Sequence, residues 1–165
     1  MHIGRTVDWE MDVFSAWRRS ADGDHSPNSD VWSTLPPGVC WFDCRFELED
    51  IEKSYVIGSA DWKEVFGSYD LRSIAATTYD GEDDSFRHKS RIIGIRNAMA
   101  VGQIFEPIIL TAFSGDGPFV IAEGNHRAVA MMQLGIIIGQ PVFVGFHKQM
   151  GEKFNWFRRS VLDED

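Results

Sequence analysis

Cysteine is scarce in this 165-residue chain, with only Cys40 and Cys44 present. On a strand, four residues would place them ~13 Å apart, beyond disulfide reach. No Cys/His cluster completes a four-ligand zinc site around them. This usage fits a reducing compartment. An apolar signal-peptide core is also missing after Met1-His2-Ile3-Gly4-Arg5, so a cytoplasmic location is expected. Basic charge is in deficit: 16 Lys and Arg face 25 Asp and Glu, a net of −9. That argues against a general nucleic-acid binder, which carries a basic footprint. Residues 128–146 lack formal charge, but Gln133, Gly135, Gly139, Gln140, Pro141 and Gly145 interrupt them. They read as helix, turn and strand, and no membrane contact is expected although the length would allow a span. No internal repeat or low-complexity tract is visible.

Apolar mass is plentiful. Hydrophobic residues make up 44% of the chain and charged residues 25%, with 6 Trp and 12 Phe. A folded core and a single domain over residues 1–165 are expected. The charge is uneven. Residues 1–84 hold 18 acids and 7 bases, whereas residues 85–165 hold 7 acids and 9 bases. A local anion site therefore fits the second part.

Trp9, Val13 and Trp17 recur at helical spacing, which predicts a helix over 7–19 laid on the core. The other use of such a Trp-rich N-terminal segment is to dock a protein partner. Residues 1–38 then form an N-terminal helix and loop extension, with turn chemistry at Asp22-Gly23-Asp24, Ser26-Pro27-Asn28 and Pro36-Pro37-Gly38. Residues 39–48 predict a strand. Cys40, Phe42, Cys44, Phe46 and Leu48 form its apolar face, and Trp41, Asp43, Arg45 and Glu47 its mixed one. Over 49–80 only a short helix, Asp61–Phe66, suggests itself before Gly67; 71–78 fits helix or strand. A long helix is predicted over 85–101, with acids and Ser85 at its start and Gly102 after its end. Its Arg87, His88, Lys89, Arg91 and Arg96 form either a solvated basic face or a lip over an anion site. Strands at 106–113 and 118–122 make a hairpin. A helix over 125–134 stops at Gly135, and a strand follows over 141–146.

The turn Glu123-Gly124-Asn125-His126-Arg127 joins strand to helix. Gly124 can adopt backbone angles closed to other residues, and Asn125 is a good N-cap. The first amides of a helix lack internal carbonyl partners and head the positive end of its dipole. That geometry binds phosphate or sulfate. A cation in the first turn opposes the dipole, which makes sense if an anion sits between them. Arg127 would grip it with two parallel hydrogen bonds, and His126 would donate another and shuttle a proton. The plain alternative is a common Gly-Asn turn with His and Arg facing water.

From about Ile92 to Phe146 the chain resembles the ParB/sulfiredoxin-like superfamily. The shared pattern is a helix ending at Gly102, a strand Pro107-Ile108-Ile109-Leu110, a hairpin into 118–122, the turn Glu123-Gly124-Asn125-His126-Arg127-Ala128, and a Pro141-led strand. The resemblance implies an α+β fold, a small mixed sheet flanked by helices, with its core at 85–146. It implies that Gly124, His126 and Arg127 hold nucleotide phosphates, with ATP or CTP, as tri- or diphosphate, and Mg²⁺ as cofactors. Two departures stand out. Asn125 occupies the place of the sulfiredoxin nucleophilic Cys, and an amide forms no covalent phosphoryl or sulfur intermediate. A helix-turn-helix domain of the partition-protein type is not expected after the last strand.

Two classes of function follow. One is a nucleotide-dependent phosphotransferase or hydrolase, with His126 and Arg127 on the phosphates and a carboxylate activating the acceptor. Glu123 is the nearest candidate, and Glu47 and Glu49 are weaker ones. Glu123 would otherwise be a surface partner of Arg127. The other is a regulatory module holding a nucleotide or other phosphorylated small molecule without turnover. A ParB-like nuclease is a third option, without a paired-acid metal motif to support it.

Overall fold

Ile108-Ile109-Leu110-Thr111-Ala112 shows no polar alternation, the pattern of a strand covered on both faces. In a computed structural model of the chain it forms β4 (Ile108–Ala112), with all five residues buried. The structure describes residues 1–20, 29–77, 86–150 and 155–162. The described strands are β1 (His2–Thr6), β2 (Cys40–Arg45), β3 (Ser54–Tyr55), β4, β5 (Phe119–Glu123) and β6 (Pro141–Phe146). They form one mixed sheet of order β1-β2-β6-β4-β5-β3. β4 pairs parallel with β6 and antiparallel with β5, the expected hairpin.

The helices are α1 (Ser15–Ser20), α2 (Ser29–Ser33), α3 (Leu48–Ile51), α4 (Ala60–Phe66), α5 (Leu71–Ala76), α6 (Phe86–Ala100), α7 (Asn125–Gln133) and α8 (Asn155–Leu162). A π-helical segment, Trp9–Phe14, runs directly into α1. The class is α+β, as expected from the sequence. Within the ambiguous 71–78 stretch, Leu71–Ala76 is helical, as α5. α4 stops at Gly67, whose φ of 69° is open to glycine at no steric cost.

Alternation along the strands splits the interior. Ile108, Leu110, Ile121 and Val144 join Ile92 of α6 and Val129 of α7 in the main core. Ile109 faces the other way and packs with Val13, Trp17 and Trp41. Trp9 lies 5.1 Å from Trp41 and 5.2 Å from Trp32, ring centre to ring centre. The N-terminal helical segment therefore lies on the core, and its aromatic rings cover the sheet.

Three differences from the sequence reading have physical causes. β1 had no apolar signal because all five of its residues are exposed. Main-chain pairing with β2 makes it a strand, not side-chain burial. Trp41, expected on a mixed face, is buried, while Cys40 and Leu48 are exposed. Both faces of β2 are covered, so alternation there separates two cores, and the strand has ended before Leu48. α8 was missed because its signal lies in a short tail; Phe157 packs there with Val120 and Met150. The expected Ser85 cap and the turns at 22–28 lie outside the described residues. No helix among the described residues is long and apolar enough to cross a membrane.

Candidate functional site

β5 delivers the chain to the site and α7 carries it away. Gly124 is the N-cap of α7, with φ 92° and ψ 24°. A Cβ at this position would lie 2.8 Å from Nη2 of Arg127. Glycine is thus needed both for the backbone angle and for the guanidinium folded against it. The helical ladder begins with Ala128 N–H donating to the Gly124 carbonyl at 2.9 Å. The amides of residues 125–127 precede it at the positive end of the helix. Behind them Ala128, Val129, Ala130 and Met131 are buried, which holds the first turn in place.

Asn125 does not cap the helix, contrary to expectation. The strand-to-helix reversal needs a positive φ, so the glycine takes the cap and Asn125 becomes the first helical residue. Its Oδ1 accepts a hydrogen bond from Ile57 N–H at 2.9 Å. It ties the loop before α4 to α7 and does not line the cleft.

A cavity of about 380 Å³ opens at the turn, walled by Arg19, Arg91, Glu106, Glu123, His126 and Arg127 with Gly124 at its edge. Four of the five residues picked from the turn are thus brought together. Arg127 forms the floor and is only 6% exposed. Its Nη1 donates to the Glu106 carbonyl at 2.6 Å, and its Nη2 lies 3.6 Å from Glu123 Oε1. One arm of the expected two-bond grip is therefore spent on backbone. Glu123 Oε1 accepts Gly124 N–H at 2.9 Å, so this carboxylate rests on the turn itself. Arg19 forks onto the Glu106 carboxylate at 2.6 and 3.1 Å. Arg91 comes from α6, so part of the basic face of that helix borders the cavity. Arg96 instead donates to Gln133 Oε1 at 3.5 Å, and Lys89 lines neither this cavity nor the next.

His126 also borders a second cavity of about 200 Å³, together with Asp61, Arg87, His88 and Arg91. Nε2 of His126 lies 2.8 Å from Nδ1 of His88, and Nε2 of His88 lies 2.9 Å from Oδ2 of Asp61. The other carboxylate oxygen of Asp61 accepts from the Ser59 hydroxyl and from Trp62 N–H. Trp62 is buried, its ring 4.6 Å from His88 and 5.0 Å from His126, centre to centre. Burial raises the Asp61 pKa, but the hydrogen bonds from Ser59 and His88 outweigh it, and the carboxyl ends below its ordinary 3.8.

The comparisons match nothing: no family model, curated protein or solved structure corresponds to this chain. The chemistry of the site therefore has to be read from its own residues. Sequence reasoning missed Asp61, because an acid in the first turn of a short helix looks like ordinary capping chemistry. The weaker carboxylate candidates are elsewhere: Glu47 pairs with the Met1 amine at 2.9 Å, and neither Glu47 nor Glu49 lines the cleft. Among the described residues no group of three or more His, Cys, Asp or Glu is arranged to hold a metal ion.

Proposed function

We propose that the chain binds a nucleoside di- or triphosphate, or a similar phosphorylated small molecule, at the start of α7 and acts on it as a phosphotransferase or hydrolase. One observation carries this reading: the positive end of a buried-backed helix opens into a cleft that also holds Arg19, Arg91, Arg127 and His126. Three guanidinium groups against two carboxylates leave the cleft net positive inside a chain of net charge −9. Such a setting attracts a multiply charged anion. The similarity of residues 92–146 to the ParB/sulfiredoxin-like superfamily supports the same ligand class and the same fold family. A divalent cation such as Mg²⁺ would arrive with the phosphates, and Glu123 is the cleft carboxylate beside the turn.

A second reading, binding without turnover, is favoured by Glu123. Its carboxylate already accepts the Gly124 amide, so a phosphate must displace it before using that donor. Incubation with ATP, ADP, CTP and GTP plus Mg²⁺ separates the two. Both readings expect thermal stabilisation, about 2.7 kcal/mol at a ligand concentration of 100 Kd. Only the enzyme reading expects inorganic phosphate or a phosphorylated acceptor to accumulate. No stabilisation by any of the four overturns both. Arg91→Ala is the suitable variant, since Arg127 is buried and its loss would disturb the fold.

A further inference from the structure

We infer that the cleft has a second, apolar end that seats the base of a nucleotide, with the wall formed by residues 103–105 reading its edge. This rests on the phosphate reading of the α7 turn. It narrows the ligand from a phosphorylated small molecule to one that carries a flat heteroaromatic ring.

The polarity of the cavity changes along its length. Arg91 and Ile95 of α6 both line it, and four helical residues separate them by about 6 Å along the axis. Gly102, with φ 89°, then turns the chain out of the helix. Its N–H donates to the Met99 carbonyl at 2.9 Å, and Gln103 N–H donates to the Ala98 carbonyl at 3.0 Å, the hydrogen bonds of a left-handed glycine stop. The segment that follows brings Gln103, Ile104 and Phe105 to the cavity wall. It is tied at Glu106, whose carbonyl accepts from Arg127 and whose carboxylate accepts from Arg19. The wall thus runs from the guanidinium groups at Glu106 to an apolar end made by Phe105, Ile104 and Ile95.

The size and chemistry of that end select the occupant. A cavity of about 380 Å³ is larger than a phosphate group needs, and cavities of roughly 300–1,000 Å³ hold whole organic ligands. Ile104 is 92% exposed. A lone exposed aliphatic side chain is ordinary, but this one shares a cavity with Ile95 and Phe105. A ring laid against it would take apolar surface out of water. Phe105 packs on the main core, which holds the wall still. Among the described residues no hydrogen bond engages the main-chain N–H or C=O of Ile104 or Phe105. The Gln103 side chain adds an amide that both donates and accepts. Apolar side chains beside open polar groups suit a flat ring whose edge carries donors and acceptors. An alkyl chain would leave those polar groups unmatched, and a bare or sugar phosphate would leave Ile104 in water.

Calorimetric titration and amide NMR of the full chain test this, with Mg²⁺ and with ATP, CTP, GTP, UTP and inorganic triphosphate as probes. At least one nucleotide is expected to bind about tenfold or more tighter than inorganic triphosphate. It should also shift the Ile104 and Phe105 amides, which inorganic triphosphate leaves in place. Ile104→Ser alters an exposed side chain that the core does not use, and it should shrink the preference for the nucleotide severalfold. Equal affinity for inorganic triphosphate and every nucleotide, or an undiminished preference in Ile104→Ser, overturns the base seat and leaves the phosphate reading standing. The four nucleosides without phosphate give the opposite separation. If they shift the Ile104 and Phe105 amides and no triphosphate binds more tightly than its nucleoside, the phosphate reading falls and the base seat stands. Binding by none of the probes overturns both.

Discussion

The two ends of the N-terminal helical segment illustrate how differently this protein uses its conspicuous residues. At one end Trp9 and Trp17 join Trp32 and Trp41 against the sheet, where aromatic area is converted into packing. At the other end, two residues beyond Trp17, Arg19 reaches across to Glu106 and becomes a wall of the cleft. The aromatic cluster is the larger feature of the sequence and the polar cleft the smaller. The difference teaches that large apolar residues announce where the core is. Chemistry, by contrast, collects where charged side chains from separate segments meet at a helix start.

Breaking the aromatic side should cost the most stability. Trp41 is 4% exposed in a two-sided sheet, so Trp41→Ala should lose about 3–5 kcal/mol in a urea melt. Nucleotide binding by the fraction that stays folded should be nearly unchanged. A loss of binding larger than the loss of folded protein would join the two regions functionally. Gly124→Ala comes next. Its φ of 92° and the 2.8 Å approach to Arg127 Nη2 should together remove roughly 1–2 kcal/mol and displace the guanidinium. Both stability and ATP affinity should fall. Arg91→Ala should do the reverse of Trp41→Ala, with stability within about 0.5 kcal/mol of the parent and ATP affinity reduced about tenfold or more, read by calorimetric titration.

Acid titration sharpens the contrast further. The Asp61 pKa is lowered in the folded protein, so its contribution to stability is present above the ordinary carboxylate value of 3.8. It is lost as pH falls through the lower, folded-state value. Asp61→Asn should flatten that part of the pH–stability curve in chemical denaturation, leaving the neutral region nearly level. The effect is small because the carboxylate is 61% exposed. Smallest of all is a labelling difference on β2. Burial pushes the Cys44 thiol up to about 11, whereas Cys40 is exposed. A thiol reagent at pH 8 should label Cys40 in the folded state and reach Cys44 only on unfolding.

What was legible in the sequence follows the same division. The hairpin, α6, α7 and β6 were readable because their apolar periodicity and the glycines at 102, 124 and 135 are local signals. The turn residues Glu123, Gly124, His126 and Arg127 were readable for the same reason. β1 was not, since an exposed edge strand is held by backbone pairing with a segment some forty residues away. Asp61 was not, since its meaning comes from His88 on α6 and His126 on α7, neither near it in sequence. Asn125 was misassigned because the residue in the left-handed conformation, not the one with the better capping side chain, took the N-cap position.

The account is tested most directly by following the ring nitrogens of His126 while ATP, and pyrophosphate in parallel, are titrated into the full chain. It predicts a saturable shift of the His126 signals that weakens strongly in Arg91→Ala and leaves His147 unmoved. His126 signals that stay in place through millimolar concentrations of both ligands would contradict it.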